Sequence, residues 1–307
     1  MVSERRMHVK QALLEKLCLP TPSMAAAYPS SPQLFSLSDL EKLSVLGHGS
    51  GGTVYLVRHL PTSSLFALKV LHSNSNSSTN HEADVLARVE DCPHVVRCHG
   101  VLDVAGLCCL VLEYMPGGSL LDVLRARGRL SEELIAWVAK CVLRALLHLH
   151  AAGVVHGDVK PSNLLISRQG EVKIADFGAS RLATSEEAAC EEGTRAYMSP
   201  ERLDSEGFQG DAGGFAGDVW ALGVVLLECL VGRLPLAGPG ITWAVCLGGG
   251  PQLQVPEGEA SPELRSFVGR CLEREWRRRA TAAELLAHPF VAKCGDCATA
   301  AWTQKLI

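Results

Sequence analysis

The break at Pro116-Gly117-Gly118 constrains the fold more than any other feature, because the chain changes periodicity across it. On the N-terminal side a glycine cluster leads into Thr53-Val54-Tyr55-Leu56-Val57, and Pro61-Thr62-Ser63-Ser64 separates that run from Leu65 to Leu71. Between Leu46 and Leu71 this pattern predicts a two-stranded hairpin with a third strand joined by a turn. Ser73 to Asn80 is almost wholly Ser, Asn and Thr and predicts a loop, after which Glu82, Val85, Leu86 and Val89 recur at helical spacing. Two further β-like runs, His94 to Val101 and Leu107 to Leu112, precede the break. Beyond it the pattern is mostly helical. Ser131 is placed to cap a helix with Glu132 and Glu133 in its first turn, and Leu134, Val138, Cys141, Val142, Ala145 and Leu149 line one face until Gly153. The expected class is α+β: a small β-rich lobe with one main helix, then a larger α-rich lobe, with the break as a hinge. There is no internal repeat.

Pro20, Pro22, Pro29 and Pro32 among Ser, Thr and Ala predict a flexible tail over 1–39. The first lobe is expected over 40–115, the second over 116–292, and a C-terminal tail over 293–307. With 29 Lys and Arg against 33 Asp and Glu, no electrostatic surplus points to nucleic acid or an anionic membrane. A monomer acting on a protein or small-molecule partner is the expectation. The twelve cysteines form no regular framework and no signal sequence precedes them, so free thiols in a cytoplasmic, or alternatively nuclear, setting are expected. Cys294 and Cys297 form a lone CxxC, which without a second pair makes a poor zinc site. The longest apolar stretch, Ala221 to Val231, carries Glu228 and falls short of the ~18 residues a membrane span needs, predicting a buried helix.

Gly47-His48-Gly49-Ser50-Gly51-Gly52 fits G-x-G-x-x-G, a pattern shared by dinucleotide folds and plain glycine turns. In a dinucleotide fold the glycines open a helix; here they run into the β-branched stretch from Thr53, as a phosphate-covering loop between strands would. Phe66-Ala67-Leu68-Lys69 puts a lysine on an apolar strand, where an ammonium needs an anion, and Glu82 on the next helix is the natural partner. Taken alone, that lysine reads better as a surface residue on an edge strand; the motifs that follow reverse the preference.

The strongest signal lies further on. His156-Gly157-Asp158-Val159-Lys160-Pro161-Ser162-Asn163 follows the long helix directly, and Asp176-Phe177-Gly178 stands thirteen residues past Asn163. Phosphoryl transfer needs a hydroxyl proton accepted or its oxygen positioned (Asp158), developing charge offset (Lys160), and a metal held by hard oxygen ligands (Asn163, Asp176). Either motif alone could be a turn; both together fit that chemistry. Phe177 is expected to pack against the glutamate helix.

With these motifs and Ser199-Pro200-Glu201 in order, residues 40 to 292 resemble a eukaryotic protein kinase domain. The resemblance implies the two-lobed kinase fold with ATP and Mg2+ in the cleft. It implies a nucleotide site comprising Leu46, Gly47, His48, Gly49, Ser50, Gly51, Gly52, Thr53, Val54, Ala67, Lys69, Glu113, Met115, Leu165 and Asp176, and Leu112 as the gatekeeper ahead of the adenine-contacting hinge. Lys69, Glu82, Asp158, Lys160 and Asn163 would be the catalytic set, with Asn163 and Asp176 on the metal. It also implies that Glu201 pairs with Arg279, and that Asp218 anchors the catalytic loop from a buried helix.

Lys160 in Asp-x-Lys-Pro-x-Asn is similar to Ser/Thr and dual-specificity kinases, Gly193 to Arg202 resembles the substrate-facing segment of MAP kinase kinases, and Phe215 to Trp220 resembles their plant branch. Arg5, Arg6 and Lys10 ahead of Leu17-Cys18-Leu19 are similar to the docking peptide of such kinases, although Val9, Leu13, Leu14 and Leu17 also fit a short amphipathic helix. Two departures bear on regulation. Gly157 stands where the family usually has arginine, removing a cation for an activation-loop phosphate. Thr184 is followed six positions later by Cys190 in place of a second hydroxyl, and Glu186, Glu187, Glu191 and Glu192 read as a solvated loop. The expectation is a dual-specificity MAP kinase kinase acting on Thr and Tyr of a MAP kinase, not dependent on double phosphorylation by an upstream kinase. The alternatives are a weak or inactive kinase-fold scaffold for a MAP kinase, and a general Ser/Thr kinase.

Overall fold

The computed structural model describes residues 35–49, 51–71, 81–104, 107–183, 194–203, 212–235, 253, 255, 258 and 260–295. Ser50, the basic and leucine residues of the N-terminal docking reading, Thr184 to Gly193, and Cys297 lie outside them. The chain divides into two compact units: one runs up to Glu90 and includes Arg97–Tyr114, the other holds Asp91–Val96 and everything from Met115 onward.

The first unit is a five-stranded antiparallel sheet and one helix. β1 (Leu40–Gly49), β2 (Gly52–His59), β3 (Ser64–Leu71), β4 (Cys98–Val104) and β5 (Leu107–Glu113) lie in the order β1-β2-β3-β5-β4, and α1 (His81–Arg88) follows β3 in sequence. Alternation sets the faces. Phe66, Leu68 and Val70 of β3 join Tyr55, Val57, Cys109 and Val111 in a core layer closed by Phe35 and Leu40. The register pairs Val54 with Lys69, Leu56 with Ala67, Lys69 with Leu110 and Ala67 with Leu112, so these residues share the opposite face. A slip of one residue would drive Lys69 into the apolar layer, which fixes the register. β4 begins at Cys98, later than the run from His94 suggested, because His94 to Val96 belong to the second unit, where Val96 N–H donates to Ile174 O at 2.9 Å.

The second unit is mostly helical: α2 (Leu120–Arg127), α3 (Glu132–Ala151), α4 (Pro200–Leu203), α5 (Ala212–Val231), α6 (Pro262–Cys271), α7 (Ala282–Leu286) and α8 (Pro289–Ala292). Short strands β6 (Val154–Val155) and β9 (Arg181–Leu182) pair, as do β7 (Leu164–Ile166) and β8 (Val172–Ile174). Capping boxes start α2 (Ser119 with Asp122) and α7 (Thr281 with Glu284). Ser131 occupies the N-cap position of α3 with extended backbone, but its side chain makes no capping bond, contrary to expectation. Instead the carboxylate of Glu132 accepts from the N–H of Ser261 at 2.8 Å, tying the start of α3 to the start of α6. α5 begins at Ala212, nine residues before the apolar run that announced it. α3 and α5 are therefore each long and apolar enough by composition to cross a bilayer, but most of their side chains are buried in the core of this unit. Leu143, Leu146 and Leu149 of α3 and Leu222, Val224, Val225 and Leu226 of α5 are fully buried.

Candidate active site

In the first unit, Lys69 on β3 and Glu82 on α1 form a buried ion pair with both carboxylate oxygens 2.7 Å from Nζ. The side chains are 7% and 5% exposed, so each charge depends on the other for compensation. The glycine-rich turn joins β1 to β2, with His48 Nδ1 3.2 Å from Thr53 Oγ1 across it. A Cβ at Gly47 or Gly49 would meet nothing within 4 Å, leaving that face of the turn open to a ligand, whereas one at Gly52 would collide with the carbonyl of Val70. Gly52 thus serves the packing of β2 on β3. Val54 and Ala67 share the face of Lys69, Leu112 follows on β5, and Glu113 ends the strand; Met115 opens the second unit and is buried there.

In the second unit the catalytic loop is built on α5. Asp218 accepts from the backbone N–H groups of His156 at 2.9 Å and Gly157 at 2.8 Å, and lies 3.1 Å from His150 Nε2. Burial alone would raise the Asp218 carboxyl, but the hydrogen bond and charge of His150, the charge of His156 and the N–H of Gly157 hold it below the usual carboxylate range. Because the folded value lies below the ~3.9 of an unfolded aspartate, its stabilising contribution is complete above about pH 4 and lost as the pH falls through the folded value. Asp218→Asn should therefore melt below the wild type at pH 7, and thermal denaturation should show the gap narrowing as the pH drops below ~4.

Three contacts fix Asp158. Its Oδ1 accepts from Thr194 N–H at 2.9 Å, and its Oδ2 lies 2.6 Å from Lys160 Nζ and 3.1 Å from Asn163 Nδ2. Lys160 Nζ also donates to Thr194 Oγ1 at 2.7 Å. With Nδ2 committed to Asp158, the amide oxygen of Asn163 is the atom available to a cation. The β7–β8 hairpin pairs Leu164 with Ile174, and Ala175 N–H donates to Asn163 O at 2.9 Å, placing Asn163 and Asp176 at the same hairpin end. Asp176 holds a left-handed backbone with φ 66°. An amide oxygen and a carboxylate fit a hard divalent metal that keeps waters and substrate phosphates as its other ligands. Leu165 lies on β7 between them in sequence. Phe177 is buried and packs edge-to-face on His156 at 5.0 Å, within the unit that carries the loop.

The substrate-facing segment is anchored as well. Glu201 and Arg279 make the implied ion pair, bidentate at 2.6 and 3.0 Å, and Arg279 also donates to Ala216 O of α5 at 2.9 Å. Two contacts went unread in the sequence. Tyr197 donates to Glu228 of α5 at 2.7 Å; burial pushes both groups up, with the tyrosine hydrogen bond opposing the rise at Glu228. The only sign of this pair was a carboxylate interrupting an apolar helix. Arg202 of α4 donates to the carbonyl of Gly157. A pocket lined by Gly157, Asp158, Thr194, Tyr197, Ser199 and Arg202 opens between loop and segment.

Residues 40–291 match the protein kinase domain family. Mitogen-activated protein kinase kinase 10 of Arabidopsis thaliana is 49% identical over 281 residues, covering 88% of this chain and 90% of the relative. Mitogen-activated protein kinase kinase 9 of the same plant is 45% identical over 271 residues (83% and 85%), and mitogen-activated protein kinase kinase 7 is 40% identical over 301 residues (90% and 95%). With lysine–glutamate pair, catalytic loop and Asp-Phe-Gly motif all carried on a kinase fold, the chain belongs to the protein kinases, enzymes that use ATP with a divalent metal, and within them to the mitogen-activated protein kinase kinases.

Proposed function

We propose that this chain is a dual-specificity kinase that phosphorylates Thr and Tyr in the activation segment of a MAP kinase. The observation carrying that reading is the Asp158 carboxylate, held by Thr194, Lys160 and Asn163 where the catalytic loop meets the substrate-facing segment. Asp158 orients the incoming hydroxyl and accepts its proton, and Lys160 offsets the charge that develops on the transferred group. Lys69, steadied by Glu82, holds the nucleotide phosphates, beneath the glycine turn from Leu46 to Val54. Asn163 and Asp176 would hold magnesium, which would neutralise charge on the nucleotide phosphates. By the family resemblance, adenine contacts are assigned to Val54, Ala67 and Glu113 of the first unit and to Met115 and Leu165 of the second. Arg5, Arg6, Leu17 and Leu19 grip the MAP kinase, and the enzyme works as a monomer in the cytoplasm.

Purified protein should transfer labelled phosphate from ATP to a MAP kinase with no upstream kinase present. Deleting residues 1–20 should raise KM for that substrate while leaving kcat in place. No transfer to any MAP kinase would favour the scaffold reading, and turnover indifferent to the deletion would favour a general Ser/Thr kinase.

A further inference from the structure

The substrate-facing segment is tied to the catalytic loop at both of its ends. At the first, Thr194 meets Asp158 and Lys160. At the second, the guanidinium of Arg202 donates to the carbonyl of Gly157, so a charged donor from α4 sits on the residue that precedes the catalytic aspartate. The absent side chain at position 157 belongs to the same arrangement. Gly157 has φ +78°, a left-handed conformation that costs glycine nothing, and a Cβ there would lie 2.6 Å from the Ala179 carbonyl and 3.7 Å from Arg202 Nη1. Any longer side chain would have to displace the Ala179 backbone or the arginine. Asp218 holds the preceding peptide group of the same residue, through the N–H of Gly157.

We propose that Arg202 is a positioning residue: because position 157 carries no side chain, its guanidinium clamps the substrate-facing segment onto the catalytic loop directly and keeps the site assembled with no phosphate on the chain. This rests on the reading that the protein is an active kinase. The cation missing at position 157 is thereby supplied from 45 residues further along, and it contacts the loop itself. A charge-assisted hydrogen bond of this kind is worth about one decade in an equilibrium.

The test compares phosphatase-treated wild type with Arg202→Gln and Arg202→Lys, both checked for unchanged melting, and with Gly157→Arg, assayed below its own melting temperature. Arg202→Gln should lower kcat/KM for the protein substrate about tenfold, with KM for ATP within about twofold. Arg202→Lys, which keeps one charged donor, should recover part of the loss. Gly157→Arg, which also crowds the Ala179 carbonyl, should lose at least as much as Arg202→Gln, and adding Arg202→Gln to it should cost little more, since both break the same contact. Amide exchange over residues 194–203 should quicken several-fold in Arg202→Gln. Full activity of Arg202→Gln, additive losses in the double variant, or unchanged exchange would overturn the proposal. If the wild type transfers nothing, the kinase reading fails, and the exchange experiment still decides whether the clamp exists.

Discussion

Asp158→Ala should bind ATP as the wild type does and transfer its phosphoryl group at least about a thousandfold more slowly. General base positioning is worth roughly 10²–10⁴ in rate, and here one carboxylate also anchors three neighbours. Removing it frees the Thr194 N–H, Lys160 Nζ and one donor of Asn163 at once, so both proton acceptance and charge placement suffer. The nucleotide contacts assigned to Lys69, Ala67 and Val54 lie on the sheet of the other unit and are left intact. Single-turnover phosphate transfer alongside calorimetric titration of ATP separates the two effects. A variant that transfers within tenfold of the wild type would remove Asp158 from the mechanism.

The second large effect falls on stability. In the Glu201–Arg279 pair the arginine side chain is 0% exposed and the carboxylate 8%, and the fork closes at 2.6 and 3.0 Å. Truncating one partner strands the other charge in the interior, at a cost of about 3–5 kcal/mol. Arg279→Met should therefore lower the denaturation midpoint sharply, to a degree that threatens folding at physiological temperature. The double variant Glu201→Leu with Arg279→Met should win back a large part of that loss, since no charge is then left unpaired. The carbonyls of Ala216 and Glu273, which also accept from Arg279, would remain unsatisfied and limit the recovery. Equilibrium urea denaturation of the wild type and the two variants measures it. Equal destabilisation by the single and double changes would mean that the pair matters only as volume.

Much of this was legible from residue order. The alternation in Thr53 to Val57 and Leu65 to Leu71 specified strands and placed Lys69 apart from Leu68, because a pleated strand has a period of two and one face had to be buried. Helices α1 and α3 declared themselves by spacing. Where a segment's partner decides its structure, residue order said less. His94 to Val96 look like the start of a strand by composition, yet they hydrogen-bond to Ile174, 78 positions after Val96. Gly213, Gly214 and Gly217 hid the first turns of α5, although Gly214 is required by close packing: a Cβ there would lie 2.5 Å from Arg181 and 2.7 Å from Val155. Gly157 read as a simple loss of charge, because only the fold brings Arg202 to its carbonyl. Trp276 stacks under the guanidinium of Arg277 at 4.3 Å, a local contact between neighbours in sequence.

A single rod, α5, carries the Ala216 carbonyl that takes Arg279, the Asp218 carboxylate that takes the loop, and the Glu228 carboxylate that takes Tyr197. Three tasks that could have been spread over separate elements thus share one rigid axis, and any rotation about it would misalign them together. Drift in its buried residues is consequently confined to swaps that conserve volume, and a lesion far from the nucleotide could silence the enzyme as completely as one beside it.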